Sequence, residues 1–554
     1  MKRPWLYVAL GVSASGAAIP PMGCGSSGTT PVPPKPTASA QELRDPNACR
    51  DCHPSHYGDW AKSMHAYASK DPVFLAMNAR GQRETGGQLG NFCVKCHAPV
   101  AVNDGMTKDG LNLDSLPDAE KGVTCFFCHS INSVGTTHVN ADDIGVASDL
   151  VIRGEIPNPQ ANAFHASMYS SYQDDSKDES SQMCGSCHDI TTTGGAHIER
   201  TFQEWTTSVF GDMGGSHTSC AANGNCHMTS DPSTPVSIAK GGPATRTFHG
   251  HDFSAVDIAF DPSFPSPAAQ QATIEANLST VLQGAVCVNS RAGVRVFLDG
   301  AGPGHNWPSG AAQDRRAWVE VVAEKNGQPF YSSGSIPAGT PVGTDPTDMD
   351  LWVLRDQMFD SSNTKVDMFW QAACAAGNEL HQIASMTPPP STHQVRLYPN
   401  TRNPGDSVLT QMPDKVTVTV HMQPIGLDVL DDLVKSGDLD AAVAAQVTTL
   451  NVALPNQPDG GATVNQLVWT PQAATAGFPD LTQGAGGGGV QMSCVSTLIF
   501  NITGGTVLAT DPPAGCPGQP LPDAGVVAPS EAGPADGAAS DARVGDAGST
   551  DGGS

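Results

Sequence analysis

At 554 residues the chain is long enough for two or three domains. Only 15% of residues are charged, while 59 Gly and 44 Pro suit a loop-rich protein and argue against long coiled coils. The formal net charge of -26 provides no general basic face for phosphate backbones, so nucleic acid is not an expected partner.

The chain opens with Met1-Lys2-Arg3 and then a mostly apolar stretch, Trp5 to Ile19, too short for a good membrane span. Cys24 follows in Pro21-Met22-Gly23-Cys24-Gly25. This resembles a bacterial lipoprotein signal, in which the cysteine becomes the lipidated first residue, although Pro21 stands where Leu is usual. Ordinary cleavage nearby, leaving Cys24 as a free or paired thiol, is the alternative. The expectation is a signal peptide over 1–23 and a lipid-anchored Pro/Gly/Ser tether over 24–42. No other segment is apolar and long enough to span a membrane.

The next region, 43–260, has poor hydrophobic periodicity. It writes Cys-x-x-Cys-His four times: Cys49/Cys52/His53, Cys93/Cys96/His97, Cys125/Cys128/His129 and Cys184/Cys187/His188. Each is the attachment signal for a c-type haem, whose vinyl groups take the two thiols and whose iron takes the histidine. Such haems would supply the apolar core that the sequence lacks. Covalent attachment outside the cytoplasm agrees with the export signal and points to a periplasmic or outer-membrane lipoprotein. Cys220 and Cys226, followed by His227, form a fifth motif with five residues between the thiols. The turn dipeptide Asn223-Gly224 can bulge the extra residues outward. A disulfide or a single thioether is the alternative there. Zinc ribbons also use Cys-x-x-Cys, but zinc does not explain a histidine after every second cysteine, and iron-sulfur ligation needs other spacings.

Each iron takes a sixth ligand or leaves that position open. Two histidines give a low-potential carrier, methionine raises the potential, and an open position allows chemistry on a substrate. Candidate distal ligands are His65, first, then His165, His251, His138, His249 and His305. His56, three residues after His53, is expected to be solvated. One internal echo stands out: Asp59-Trp60-x-x-Ser63-x-His65 reappears as Glu204-Trp205-x-x-Ser208-x-Phe210.

Ser266 as N-cap, Pro267, and a face of Ile274, Leu278, Val281 and Leu282 predict a connecting helix within 261–284. Short alternating runs follow: Val294–Leu298, Trp318–Ala323, Gln394–Tyr398 and Val416–Met422. In the last, Val416, Val418, Val420 and Met422 share one side. They predict a β-sandwich-like domain over 285–516, interrupted by a helical insertion in 426–447 with Leu427, Leu430 and Val434 on one face. The fold class expected is thus α+β and multidomain. Residues 517–554, rich in Ala, Gly, Asp, Ser and Pro, predict a disordered acidic tail. Four further cysteines, Cys287, Cys374, Cys494 and Cys516, suggest two disulfides in an oxidising compartment. Three connectivities are possible. The short loop between Cys494 and Cys516 favours that pair, leaving Cys287 with Cys374.

Cys49-Arg50-Asp51-Cys52-His53, then Trp60-x-x-Ser63-x-His65, resembles the opening of the multihaem cytochrome c family that includes the tetrahaem electron acceptor of hydroxylamine oxidation. Cys184 to Asp189, Glu204-Trp205-x-x-Ser208, Cys226-His227-Met228 and Arg246-x-x-His249-x-His251-x-Phe253 follow that family's later pattern. The resemblance implies haems stacked in close pairs, with His65 and His251 as distal ligands to haems other than those of the nearest motif. The long fifth spacer, and Phe210 where the first repeat has His65, depart from the pattern. Gly304-His305-Asn306-Trp307-Pro308-Ser309-Gly310, with Arg315 to Val321, is similar to the segment that opens the C-terminal β domain of many multihaem cytochromes. His305 there either reaches back to ligate a haem or hydrogen-bonds to backbone.

The function expected is electron transfer between periplasmic or outer-membrane partners through closely packed bis-histidine haems, four or five in number. Redox proteins or quinol-linked donors are the expected partners. The alternative is a multihaem oxidoreductase acting on a small nitrogen or sulfur compound at one five-coordinate haem, with the irregular Cys220/Cys226 motif as its candidate. No phosphate loop, dinucleotide fingerprint or hydrolase elbow appears.

Overall fold

The computed structural model describes residues 36–136, 140–211, 218–222, 226–230, 233, 235–264, 267–382, 393–401, 404–455, 463–480, 482, 489–498, 506–508, 511 and 513–517. Cys24, His138, the Asn223-Gly224 turn, Ser266, and the signal and almost all of the tail segment lie outside the described residues.

Up to residue 260 the chain forms short helices and two-stranded ladders joined by loops. The longest helix there, Pro72–Glu84, begins where the Asp71 carboxylate accepts from the Val73 N–H and Pro72 occupies the first turn. Ala40–Arg44 starts with a capping box between Ser39 and Glu42. Apolar clusters in this region are small, such as Phe74, Val94, Ala98, Ala101, Leu113 and Leu116.

The β region behaves differently because its strands alternate. Its helix, Pro267–Leu278, buries Ile274 and Leu278 against the sheets, and Leu282 follows them into the same core. One six-stranded sheet is built on Arg316–Lys325 and Lys415–Gln423, with Gln328–Ser333, Trp352–Leu354, Leu450–Val452 and Gln466–Trp469 paired to them. The other runs Thr475–Pro479, Gln491–Ser496, Gln283–Asn289, Val294–Asp299, His393–Tyr398 and Thr506–Leu508, antiparallel except at the last pair. Val319, Val321, Val416, Val418 and Val420 of the first share one core with Val286, Val294, Val296 and Leu298 of the second. Val416, Val418, Val420 and Met422 do point to one side, all buried. The second sheet's other face carries a smaller buried apolar cluster made by its own strands, Ala285, Cys287, Phe297, Val395, Leu397, Met492 and Cys494. No helix among the described residues is long and apolar enough to cross a membrane.

Two expectations change here. The disulfides are Cys287–Cys494 and Cys374–Cys516, not Cys494–Cys516 and Cys287–Cys374. Strand pairing overrides loop length, because Gln491–Ser496 lies beside Gln283–Asn289 with Cys494 directly opposite Cys287. The insertion is helical over Leu427–Lys435 and Ala441–Ala444, but it buries Val429, Leu430 and Leu433 more deeply than Val434. Its partners are Val73 and Ala76 of helix Pro72–Glu84 in the haem-motif region together with Met368 of the β region, and not the sheets' core.

Candidate haem sites

Every motif closes into the same small turn, in which the histidine N–H donates to the first cysteine's carbonyl. The distances are 2.8 Å for His53 to Cys49, 3.2 Å for His97 to Cys93 and 3.1 Å for His188 to Cys184. In the third motif the turn is part of helix Cys125–Ser130, capped by the Thr124 hydroxyl. The irregular motif reproduces the closure at 3.0 Å between His227 N and Cys220 O, so its longer spacer leaves the cysteine-to-histidine geometry intact.

Four of the five motif rings have Nδ1 on a backbone carbonyl: His53 on Ile238 (2.7 Å), His97 on Ala68 (3.0 Å), His129 on Arg153 (2.5 Å) and His227 on Ser254 (3.0 Å). The fifth, His188, has Nδ1 on the Glu199 carboxylate at 2.9 Å. Each hydrogen bond leaves Nε2 as the nitrogen for a metal and sets the ring's direction.

Opposite four of these rings stands a second imidazole. Ring centroids are 6.4 Å apart for His53 and His165, for His65 and His188, and for His129 and His251. They are 6.5 Å apart for His227 and His305. With metal–nitrogen bonds of about 2.0 Å and ring centres about 1.2 Å behind each nitrogen, two imidazoles on one iron have centroids about 6.4 Å apart. The residues present therefore fit a six-coordinate haem at four positions. Burial pushes the ring pKa of His65 and His251 down to about 3 and of His305 to about 4, which keeps them in the neutral form that ligates. His165, His251 and His305 orient Nδ1 on the carbonyls of Ala166, His249 and Asn306. His305 thus both bonds to backbone and faces His227.

His97 is different. Phe74 stacks flat on its ring, 4.1 Å between centroids, and no second imidazole faces it among the described residues. Among the described residues the motif without a facing ring is therefore Cys93/Cys96, not the irregular Cys220/Cys226 that the spacing singles out. His249 lies between Glu155 (3.4 Å) and Asp175 (3.6 Å), and no motif ring faces it among the described residues. His56, expected to be solvated, packs 5.0 Å from His251 and 4.7 Å from Phe248, and burial lowers its pKa to about 4.

Thiols of different motifs meet. The free thiol of Cys49 lies within hydrogen-bonding reach of that of Cys125, and the thiol of Cys96 within reach of that of Cys187. Burial pushes the Cys93 thiol up to about 12, and those of Cys128 and Cys220 to about 11. Their surroundings are apolar, which suits a porphyrin beside them.

The internal echo is a repeated structural unit. Trp60 Nε1 donates to Val123 O at 2.8 Å and Trp205 Nε1 to Thr218 O at 2.9 Å, each two residues before a motif's first cysteine. Ser63 and Ser208 hydroxyls donate back to the carbonyls of Trp60 and Trp205. His65 O and Phe210 O accept from Val123 N (2.9 Å) and Thr218 N (2.8 Å). The unit ties one motif's flank to the start of another. Phe210 packs beneath Gly304, beside the loop whose His305 faces His227.

The sequence marks Glu204 only as part of the echo and gives no role to Arg200 or Glu199. Glu204 accepts from Asn306 N, Asn306 Nδ2 and Ser309 Oγ at 2.7–3.1 Å, gripping the His305 loop. Its place in the repeated acid-Trp frame was the available signal. Arg200 spans to Asp356 (2.8 Å) and Glu379 (3.0 Å) of the β region.

Residues 48–130 match the family model described as cytochrome c554 and c-prime. This match, together with the Cys-x-x-Cys-His motifs, supports a place for the chain among the multihaem c-type cytochromes. The cofactor of this cytochrome is haem c. Its fold is similar to the crystal structure of a penta-heme cytochrome c552 from Thermochromatium tepidum, at 18% identity and a TM-score of 0.50, covering 74% of this chain and 98% of that one. Comparison with curated proteins gives no match.

Proposed function

We propose that this cytochrome carries five haems c and transfers electrons through them, four being held between paired histidines. The observation that carries the reading is the set of four imidazole pairs at the spacing two ligands of one iron require. Haem c, when bound, supplies a reversible one-electron iron couple. The chain's own residues do the rest. Cys49 and Cys125, and Cys96 and Cys187, bring attachment points into contact. His65 and His251 serve motifs other than their nearest, His188 and His129, so each pair stitches distant chain segments together. The β region serves as a docking or scaffold domain. It supplies His305 and the acidic partners Asp356 and Glu379 that Arg200 binds. In the cell this reading places the chain outside the cytoplasm, anchored through a lipid on Cys24, exchanging electrons with redox proteins or quinol-linked donors.

A second reading has a specific observation behind it. His97 faces no second ring among the described residues, which favours an open iron position at Cys93/Cys96 and chemistry on a small nitrogen or sulfur compound there.

Intact mass and a pyridine haemochrome assay of the mature protein test the first reading. Five haems per chain is the expected result, and four or fewer overturns the count. Carbon monoxide added to the reduced protein tests the second: a spectral shift amounting to one haem supports the open position, and an unchanged spectrum removes it.

A further inference from the structure

Among the five motif histidines, His188 alone presents Nδ1 to a carboxylate, Glu199, at 2.9 Å; the other four donate to backbone carbonyls. We propose that Glu199 is a potential-setting residue, which holds the haem at Cys184/Cys187 below the other four in reduction potential. The inference rests on the reading that all five motifs carry haem.

A carbonyl accepts the Nδ1 proton as a dipole. A carboxylate accepts it as a full negative charge, and such charge-assisted bonds are roughly twice as strong as neutral ones. Drawing the proton away from Nδ1 makes Nε2 a stronger donor to iron, which favours the ferric state and lowers the potential. Glu199 is held for this role by local pairing. It lies in strand His197–Glu199, opposite Ile190, two residues past His188 in a short hairpin. The next residue, Arg200, is fastened to Asp356 and Glu379. The Glu199 side chain is 15% exposed. Among the described residues no lysine or arginine forms an ion pair with it, and Arg315, the cation that influences it from nearby, is bonded to Asp257 at 2.9 and 3.2 Å. His188 is therefore its hydrogen-bonded partner, while His97 feels its charge only at longer range.

Placement gives the effect a use. The thiols of Cys187 and Cys96 are in contact, so this most reducing position adjoins the motif whose His97 faces no second ring among the described residues. Electrons would be delivered there from the strongest reductant of the set.

The test is a spectroelectrochemical titration of the full-length holoprotein beside E199Q, E199D and E199A. In E199Q the carbonyl oxygen of the amide still accepts the Nδ1 proton but the charge is gone. Its lowest one-electron step should become about tenfold more favourable to reduce, about 59 mV for a one-electron couple. E199D, which keeps the charge, should retain a low step. An E199Q titration superimposable on the parent, with five haems present in both, overturns the proposal. So does a shift in E199A without one in E199Q, which would assign Glu199 to ring orientation alone. Electron paramagnetic resonance of the same samples should show the change confined to one low-spin haem. A shortfall in the parent's haem count would instead count against the five-haem reading on which the proposal rests.

Discussion

Glu204 shows how single side chains join the two parts of the molecule. Burial pushes its carboxyl above the ordinary glutamate value, against the opposing pull of Ser309, Arg200 and Asn306, while nearby Asp356 pushes the same way as burial. The folded protein therefore holds this proton more tightly than the unfolded chain does. Its contribution to stability is greatest below the ordinary glutamate pKa and falls as pH rises through the folded value. E204Q removes the titration, so its melting temperature relative to the parent should climb with pH over that range; a difference independent of pH would exclude Glu204 as the source. His305 gives a second prediction at this scale. H305A should convert the haem at Cys220/Cys226 to a high-spin, carbon monoxide-binding form, adding one reactive haem to the parent's count. An unchanged spectrum would show that His305 is not its ligand.

Among the elements, the repeated Trp unit and the inserted helix carry most of the stitching. In W205F the Thr218 carbonyl loses its 2.9 Å donor. The expected cost is about 1 kcal/mol, together with incomplete haem loading at Cys220/Cys226, the motif that this contact precedes. Full loading by mass spectrometry would limit the contact to packing. Helix Leu427–Lys435 lays Leu430 and Leu433 on Val73 and Ala76. Around that patch Arg80 reaches Asp432 at 2.6 Å and Arg83 reaches Asp438. Leu430 is fully buried, so L430A should destabilise the protein by about 2–5 kcal/mol in a chemical denaturation experiment. A loss within about 0.5 kcal/mol would mean the patch closes over the gap. The sequence pattern of this helix was legible, but its burying side was not. Periodicity tells that a stripe exists, whereas the neighbour that covers it, here helix Pro72–Glu84, comes from the haem-motif region.

Across the whole molecule the two halves derive their cores from different sources. The β region has a continuous core spread over two sheets, and Cys287–Cys494 ties two neighbouring strands of one of them. Among the described residues the haem-motif region has only small apolar clusters of its own, so chain expressed without haem attachment should keep a protected β region and lose protection elsewhere. Hydrogen exchange by mass spectrometry would show this. Uniform protection, or uniform loss, would contradict it.

What the sequence by itself determined was local chemistry. Cys-x-x-Cys-His names the cofactor, its attachment points and one ligand per iron, because those groups lie within one turn of backbone and need no distant partner. Alternation likewise announced strands Arg316–Lys325 and Lys415–Gln423. Only the tertiary structure decided which second ring stands over which motif, that His97 has none among the described residues, that Cys494 meets Cys287, and that Glu199 rather than a carbonyl backs His188. Those contacts join segments far apart in the chain. Their pairing is selected by the packing of the whole and leaves no spacing behind to be read.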